Sequence, residues 1–152
     1  MQMKIGIAPA AGEKVESVRL LWREYWDCLG FSDEFQGFGA ELAGLPGKYV
    51  CLLLASVDDE PAGAIGVRPL EGDSCEIKRL YVRPAFRGVH LGRALLDRAL
   101  TEARELGYRR VFADTMPSMT TALRMYRQVG FSDVERYSET PTTCAIYLRL
   151  EF

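Results

Sequence analysis

The stretch YVRPAFRGVHLGRALL, Tyr81–Leu96, constrains the fold more than any other part of the chain. An apolar, strand-like run ends at Pro84, a residue that cannot donate to a sheet ladder. The chain then reads Arg-Gly-x-x-x-Gly from Arg87 to Gly92 and at once takes up helical spacing. Leu91, Leu95, Ala99, Ala103 and Leu106 form one stripe. Gly107 stands where a glycine would end that helix, and YRRVFADT follows as another strand. Strand, tight turn, helix, strand is a β-α-β crossover.

The rest of the chain supplies what that crossover packs against. KIGIAP alternates as a short first strand. From Gly12 to Leu29 the positions Val15, Val18, Leu21, Trp22, Tyr25, Trp26 and Leu29 recur at helical spacing. Ser32 or Asp33 is the expected N-cap of a second helix reaching about Ala43, stopped by GLPG. YVCLLLASV and AGAIGVRPL form a hairpin around DDEP, and EGD turns the chain into SCEIKRLYV. A last helix spans Ser118–Val129, with Ala122, Leu123, Tyr126 and Val129 on one face and Gly130 ending it. Two strands, FSDVERY and TTCAIYLRL, close the chain. Hairpins mixed with a crossover predict a mixed sheet covered by helices, an α/β (α+β) sandwich. No repeat, linker or low-complexity tract divides the 152 residues, so one domain over 1–152 is expected.

Composition removes several function classes. Net charge is −2, so there is no global basic footprint for nucleic acid. The longest apolar run, YVCLLLA, is far too short to span a bilayer, and no membrane partner is expected. The N-terminus MQMKIGIAPA lacks the apolar core of a secretory signal. Cys28, Cys51, Cys75 and Cys144 show no C-x-x-C spacing and read as reduced thiols of a cytoplasmic protein. With His90 as the single histidine, nothing points to a metal site.

A helix N-terminus offers unpaired N–H groups and partial positive charge. Gly88 and Gly92 remove side chains from this one, and Arg83, Arg87 and Arg93 ring it with charge. That is a diphosphate cradle in physical terms. It carries neither G-x-x-x-x-G-K-[ST] nor G-x-G-x-x-G, and an ordinary loop with an arginine rim fits the same letters.

The turn resembles the acetyl-coenzyme A signature [Q/R]-x-x-G-x-[G/A] of the Gcn5-related N-acetyltransferases. Arg87 takes its first position and Gly92 its last, while His90 stands where glycine is usual. EIKRLYVRP is similar to the family's fourth strand. The pattern DT-x-x-x-M-x-x-A-x-x-x-Y-x-x-x-GF, Asp114–Phe131, resembles its fifth strand, fourth helix and following turn. The resemblance implies a mixed, mostly antiparallel sheet of about seven strands flanked by about four helices, splayed between strands 4 and 5. It implies acetyl-CoA as cosubstrate, with no metal, and transfer of the acetyl group to a primary amine by direct attack in a ternary complex. Leu80, Tyr81 and Val82 would line the pantetheine cleft and supply the oxyanion donor from backbone N–H. Arg87, Gly88, Val89, His90, Leu91, Gly92 and Arg93 would hold the pyrophosphate. The family often has asparagine seven residues before Tyr126, where this chain has Met119 with Ser118 beside it.

Acyl transfer to an amine requires an acid for the departing thiolate and a base for the ammonium. The resemblance puts Tyr126 in the first role; helical spacing equally fits a core aromatic beside Ala122 and Leu123. It puts Glu76 in the second; a strand-start glutamate facing water or pairing with a nearby Lys or Arg fits as well. By alternation Glu76, Lys78, Leu80 and Val82 share one face. Asp114 and Tyr137 are alternatives to Glu76. One or two of Trp22, Tyr25, Trp26, Phe31, Phe35 and Phe38 are expected to wall the acceptor pocket, with Glu34 or Gln36 facing a cationic amine. The acceptor, a small molecule or a peptide, is not legible. Dimers are common in such families, so a homodimer is compatible with the sequence. A coenzyme A-binding sensor without catalysis and a transferase of longer acyl groups are the alternative functions.

Overall fold

The computed structural model describes residues 3–137 and 145–152. The described residues form seven strands and four α-helices: β1 (Ile5–Pro9), α1 (Glu13–Leu29), α2 (Phe38–Ala43), β2 (Cys51–Val57), β3 (Glu60–Pro69), β4 (Ser74–Val82), α3 (Leu91–Glu105), β5 (Arg110–Thr115), α4 (Thr120–Gln128), β6 (Ser132–Val134) and β7 (Ile146–Glu151). They build one sheet in the order β1-β2-β3-β4-β5-β7-β6. Its pairs are antiparallel except β4–β5, the parallel pair that the α3 crossover joins. The expected mixed, mostly antiparallel architecture is the one observed.

Each face of the sheet has its own core. Under α3 and α4, Leu91, Leu95, Leu96, Ala99, Ala103 and Tyr126 pack on Ile65, Val67, Cys75, Ile77 and Val111. Under α1 and α2, Val18, Leu21, Trp22, Trp26, Phe38 and Leu42 pack on Leu52, Leu54, Ala64 and Tyr81. Trp26 stacks on Phe38 at 4.2 Å between ring centres. Gly66 lets this second core close: a Cβ there would lie 2.4 Å from the Tyr49 ring.

Three features depart from the sequence expectations. The second helix is not continuous from Ser32. Gln36 and Gly37 are left-handed, with φ of 58° and 68°, so a 3₁₀ turn at Phe35–Gly37 precedes a six-residue helix. Leu106 is exposed: it caps α3, and Gly107 (φ 94°) turns the chain away before the stripe can continue. The third departure shapes the site. In β4, Arg79 has φ 61°, and the register slips so that Ala64 faces Tyr81 while Gly66 faces Lys78. Two residues of β3 thus span three of β4, which is a β-bulge. The bulge reverses the alternation. Leu80 and Val82 join the α3/α4 core with Cys75 and Ile77, and Tyr81 faces α1. Glu76 and Lys78 therefore do not share a face with Leu80 and Val82.

Candidate active-site cleft

β4 and β5 pair only at Ser74–Arg110, Cys75–Val111 and Glu76–Phe112. Beyond that they part, and from Ile77 onward the β5-facing edge of β4 has no strand partner among the described residues. The expected splay is present, and a cleft of about 310 Å³ fills it. Its floor carries Ile77, Lys78, Arg79 and Leu80 from β4, Asp114 and Thr115 from β5, and Met116 just after it. One wall is Ser118, Met119 and Tyr126; the other is Tyr25, Trp26, Leu29, Phe31, Phe35 and Gln36.

Tyr126 is buried, yet its side chain lines the cleft, and its hydroxyl has no hydrogen-bond partner among the described residues. Burial holds this phenol protonated above the ordinary tyrosine range, with smaller contributions from Tyr25 and Asp114. Asp114 reaches across the fork to Lys78, Oδ1 to Nζ 3.7 Å.

Glu76 sits at the point where the strands part, 2% exposed. It pairs with Arg68, as one sequence alternative held: Nε and a terminal nitrogen of Arg68 donate to its Oε1 at 3.0 and 2.5 Å. Tyr137 donates its hydroxyl to Oε2 at 3.1 Å. Burial, then Asp114 and Glu76, push the Tyr137 phenol well above its usual range, so it remains the donor. Glu76 does not line the cleft; Asp114 does.

Behind the floor runs a buried ionic network that sequence reasoning missed. Arg79 donates to Glu41 from Nε (3.1 Å) and a terminal nitrogen (3.2 Å), and to Gln36 Oε1 at 3.0 Å. Its guanidinium lies 4.6 Å from the Trp26 ring centre. Arg68 links Glu76 to Glu41, and Tyr49 donates to Glu41 at 2.9 Å. Gln36 lines the cleft with its carbonyl engaged by Arg79, whereas Glu34 is exposed and outside it. Trp22 and Phe38 are core; Tyr25, Trp26, Phe31 and Phe35 reach the cleft.

The turn before α3 opens on a second, adjoining hollow of about 260 Å³. Val82, Arg87, Gly88, His90, Leu91, Gly92 and Arg93 line it from one side, and Thr121, Arg124, Met125 and Gln128 of α4 from the other. Arg87 is fixed by donating from Nε to Val82 O at 3.0 Å. His90 is the N-cap residue in left-handed conformation, φ 61° and ψ 24°. That explains why glycine is usual there; histidine is among the side chains that tolerate this region. Gly92 is different. A Cβ there would meet only Val82 and Met125 at ordinary contact distance, 3.7 and 4.0 Å. Its missing side chain serves the hollow rather than the fold, which fits a bulky anionic ligand at the helix start.

Two expected members of this hollow lie elsewhere. Arg83 turns to α1, where it donates to Glu24 at 2.9 and 2.6 Å. Val89 packs its side chain against the core. Arg124 takes the place of Arg83. The spacing of Thr121, Arg124 and Gln128, one polar face opposite Ala122 and Tyr126, was the signal that could have found it. Among the described residues no group of three or more His, Cys, Asp or Glu could hold a metal ion, and no helix is long and apolar enough to cross a membrane. Cys144 lies outside the described residues.

A fork between parallel strands, with a tyrosine in it and an open helix start beside it, is the arrangement of the acetyltransferase (GNAT) family, whose model matches residues 17–131. The chain belongs to that family. An uncharacterized N-acetyltransferase of Schizosaccharomyces pombe is 32% identical over 145 residues, covering 91% of this chain and 89% of the relative. A GNAT-family acetyltransferase of Staphylococcus aureus superposes with TM-score 0.80 at 17% identity, covering 97% of this chain and 99% of that one. The PaiA N-acetyltransferase of Thermoplasma acidophilum, solved in complex with coenzyme A, gives 0.78 at 17% identity, covering 98% and 99%.

Proposed function

We propose that the protein transfers the acetyl group of acetyl-coenzyme A to a primary amine bound beside α1 and α2. The observation that carries this is that the two hollows adjoin and share Thr121, with Val82 of β4 in the helix-start cradle and Leu80 and Tyr126 in the cleft. Acetyl-coenzyme A brings the acetyl group activated as a thioester. Backbone N–H groups of the turn, with Arg87, Arg93 and Arg124, hold the pyrophosphate. The unpaired edge of β4 positions the pantetheine arm, and its backbone N–H near Leu80–Val82 faces the carbonyl oxygen as charge grows. Asp114, the carboxylate in the cleft, takes the proton from the acceptor's ammonium. The C–N bond forms as the C–S bond breaks, and Tyr126 gives its hydroxyl proton to the departing sulfur.

Glu76 carries a second reading of the base. Its place at the fork favours proton relay through one water or through Tyr137, although Arg68 and Tyr137 engage its two oxygens. Thiol release from acetyl-coenzyme A across a panel of amines tests the proposal. Acceptor-dependent release is expected; tight binding with no release for any acceptor would make the protein a sensor. The mass of the product separates acetyl from longer acyl groups.

A further inference from the structure

The charges inside the cleft limit what its acceptor can be. Among the described residues its lining carries Lys78, Arg79 and Asp114. Arg79 is already satisfied: every nitrogen of its guanidinium donates to Glu41 or Gln36. Lys78 is not. Its side chain is 9% exposed, and its one partner among the described residues is Asp114, itself 14% exposed, at 3.7 Å. That distance exceeds a hydrogen bond, so the ammonium has three donors and no acceptor among the described residues. Its ammonium opens on the cleft, where an anionic group of a ligand can take the place of water and make a charge-assisted bond.

Resting on the transferase reading above, we propose that the acceptor is a free α-amino acid with an apolar or aromatic side chain, its carboxylate bound by Lys78 and its amine by Asp114. A zwitterion can open the loose Lys78–Asp114 pair and give each partner a closer one, leaving the cleft neutral. A polyamine would add a cation with no second free carboxylate to meet it. A neutral amine would leave Lys78 uncompensated. Above this pair Leu29, Phe31 and Phe35 offer half-buried apolar surface, with Tyr25 and Trp26 behind them. A side chain of phenylalanine or leucine size matches that wall. The same pairing fixes which end reacts: the amine meets the carboxylate that takes its proton, and the carboxylate end is held by Lys78.

The test compares L-phenylalanine with L-phenylalaninamide, which keeps the amine and ring and loses the carboxylate charge. The amide's amine is the less basic, so a preference for the acid runs against simple reactivity. Wild-type kcat/KM is expected to favour phenylalanine by about 10–100-fold, the size of a charge-assisted contact. Lys78→Met, which keeps the stem, should bring the two within a few-fold by raising KM for phenylalanine, with acetyl-coenzyme A affinity retained. Lys78→Arg should restore part of the preference. If the protein binds acetyl-coenzyme A but acetylates phenylalaninamide as well as phenylalanine, or neither, the acceptor class is wrong and the cofactor site stands. If it does not bind acetyl-coenzyme A, the transferase reading itself fails. The wild-type comparison decides the matter even if both variants fail to fold.

Discussion

The two sides of the cleft differ in how far along the chain their parts come from. The turn side is local: Arg87 to Gly92 lie in one stretch, and α4 contributes Thr121, Arg124 and Gln128 from a single helix face. The side under α1 and α2 is held from a distance. Arg79 meets Glu41 and Gln36 at separations of 38 and 43 residues. The turn side keeps open space and unfilled glycine positions, whereas the other is closed by charge pairs with little exposure. One region is therefore free to bind without supporting the fold. In the other, the surface facing the acceptor is also part of what holds α2 on the sheet.

Tyr126, where the two regions meet, should give the largest effect. Tyr126→Phe keeps the ring packing and removes the proton, so kcat is expected to fall about 10²–10⁴-fold with little change in KM for acetyl-coenzyme A. Because burial raises this phenol, the acid form persists as pH rises. Wild-type kcat should hold through the ordinary tyrosine range and decline only above it, as pH passes the raised value. A decline centred below pH about 10 in stopped-flow measurements of the chemical step would deny Tyr126 the acid role.

Next in size is Arg79→Met, which removes two of the donors that meet Glu41 in a nearly buried site and leaves it Tyr49 and Arg68. Breaking such a pair typically costs about 3–5 kcal/mol. Urea unfolding should show that loss, and Arg79→Met with Glu41→Gln should cost less than the sum of the single changes. Additive costs would mean that α2 does not hang on this pair, and the contrast between the two sides would weaken.

Gly92→Glu is the converse. Stability should move by less than about 1 kcal/mol, since the site is an open helix position. Coenzyme A affinity should drop on the order of 100-fold through like-charge contact. Calorimetry showing unchanged affinity in the folded variant would remove the cradle. The smallest expected effect belongs to Arg124→Gln: a loss of about 3–5-fold in affinity and a shallower salt dependence, as for an exposed charge.

Paired variants sharpen the assignment of the base. Asp114→Asn is expected to lower kcat/KM for the acceptor more than Glu76→Gln does, with acetyl-coenzyme A affinity retained. If Glu76→Gln lowers it and Asp114→Asn does not, the proton leaves through the fork instead of the cleft.

What the sequence made legible follows the same division. The bounds of β4, the Gly107 stop and the turn itself could be read because each is encoded within a few residues. Glu76 could be placed on its strand, but not its partners, since Arg68 and Tyr137 arrive from β3 and from beyond β6. Arg83 was expected at the hollow and Arg124 was not, because a side chain's direction depends on the helix it packs beside, which local letters do not record. The interruption at Gln36 was hidden for a similar reason. Non-glycine residues seldom adopt left-handed backbone, and here the long-range bond from Arg79 to Gln36 holds it. Alternation failed at Arg79 because one residue left the pleat.

That one residue works like punctuation. Before it, odd-numbered positions of β4 address the helices of the crossover; after it, even-numbered positions do. Straightening Arg79 into the pleat, with the residue kept, would thus act as a frameshift in space. Every later side chain on the strand would be delivered to the opposite face, Leu80 and Val82 to α1 and Tyr81 to α3, although no letter of their own had changed.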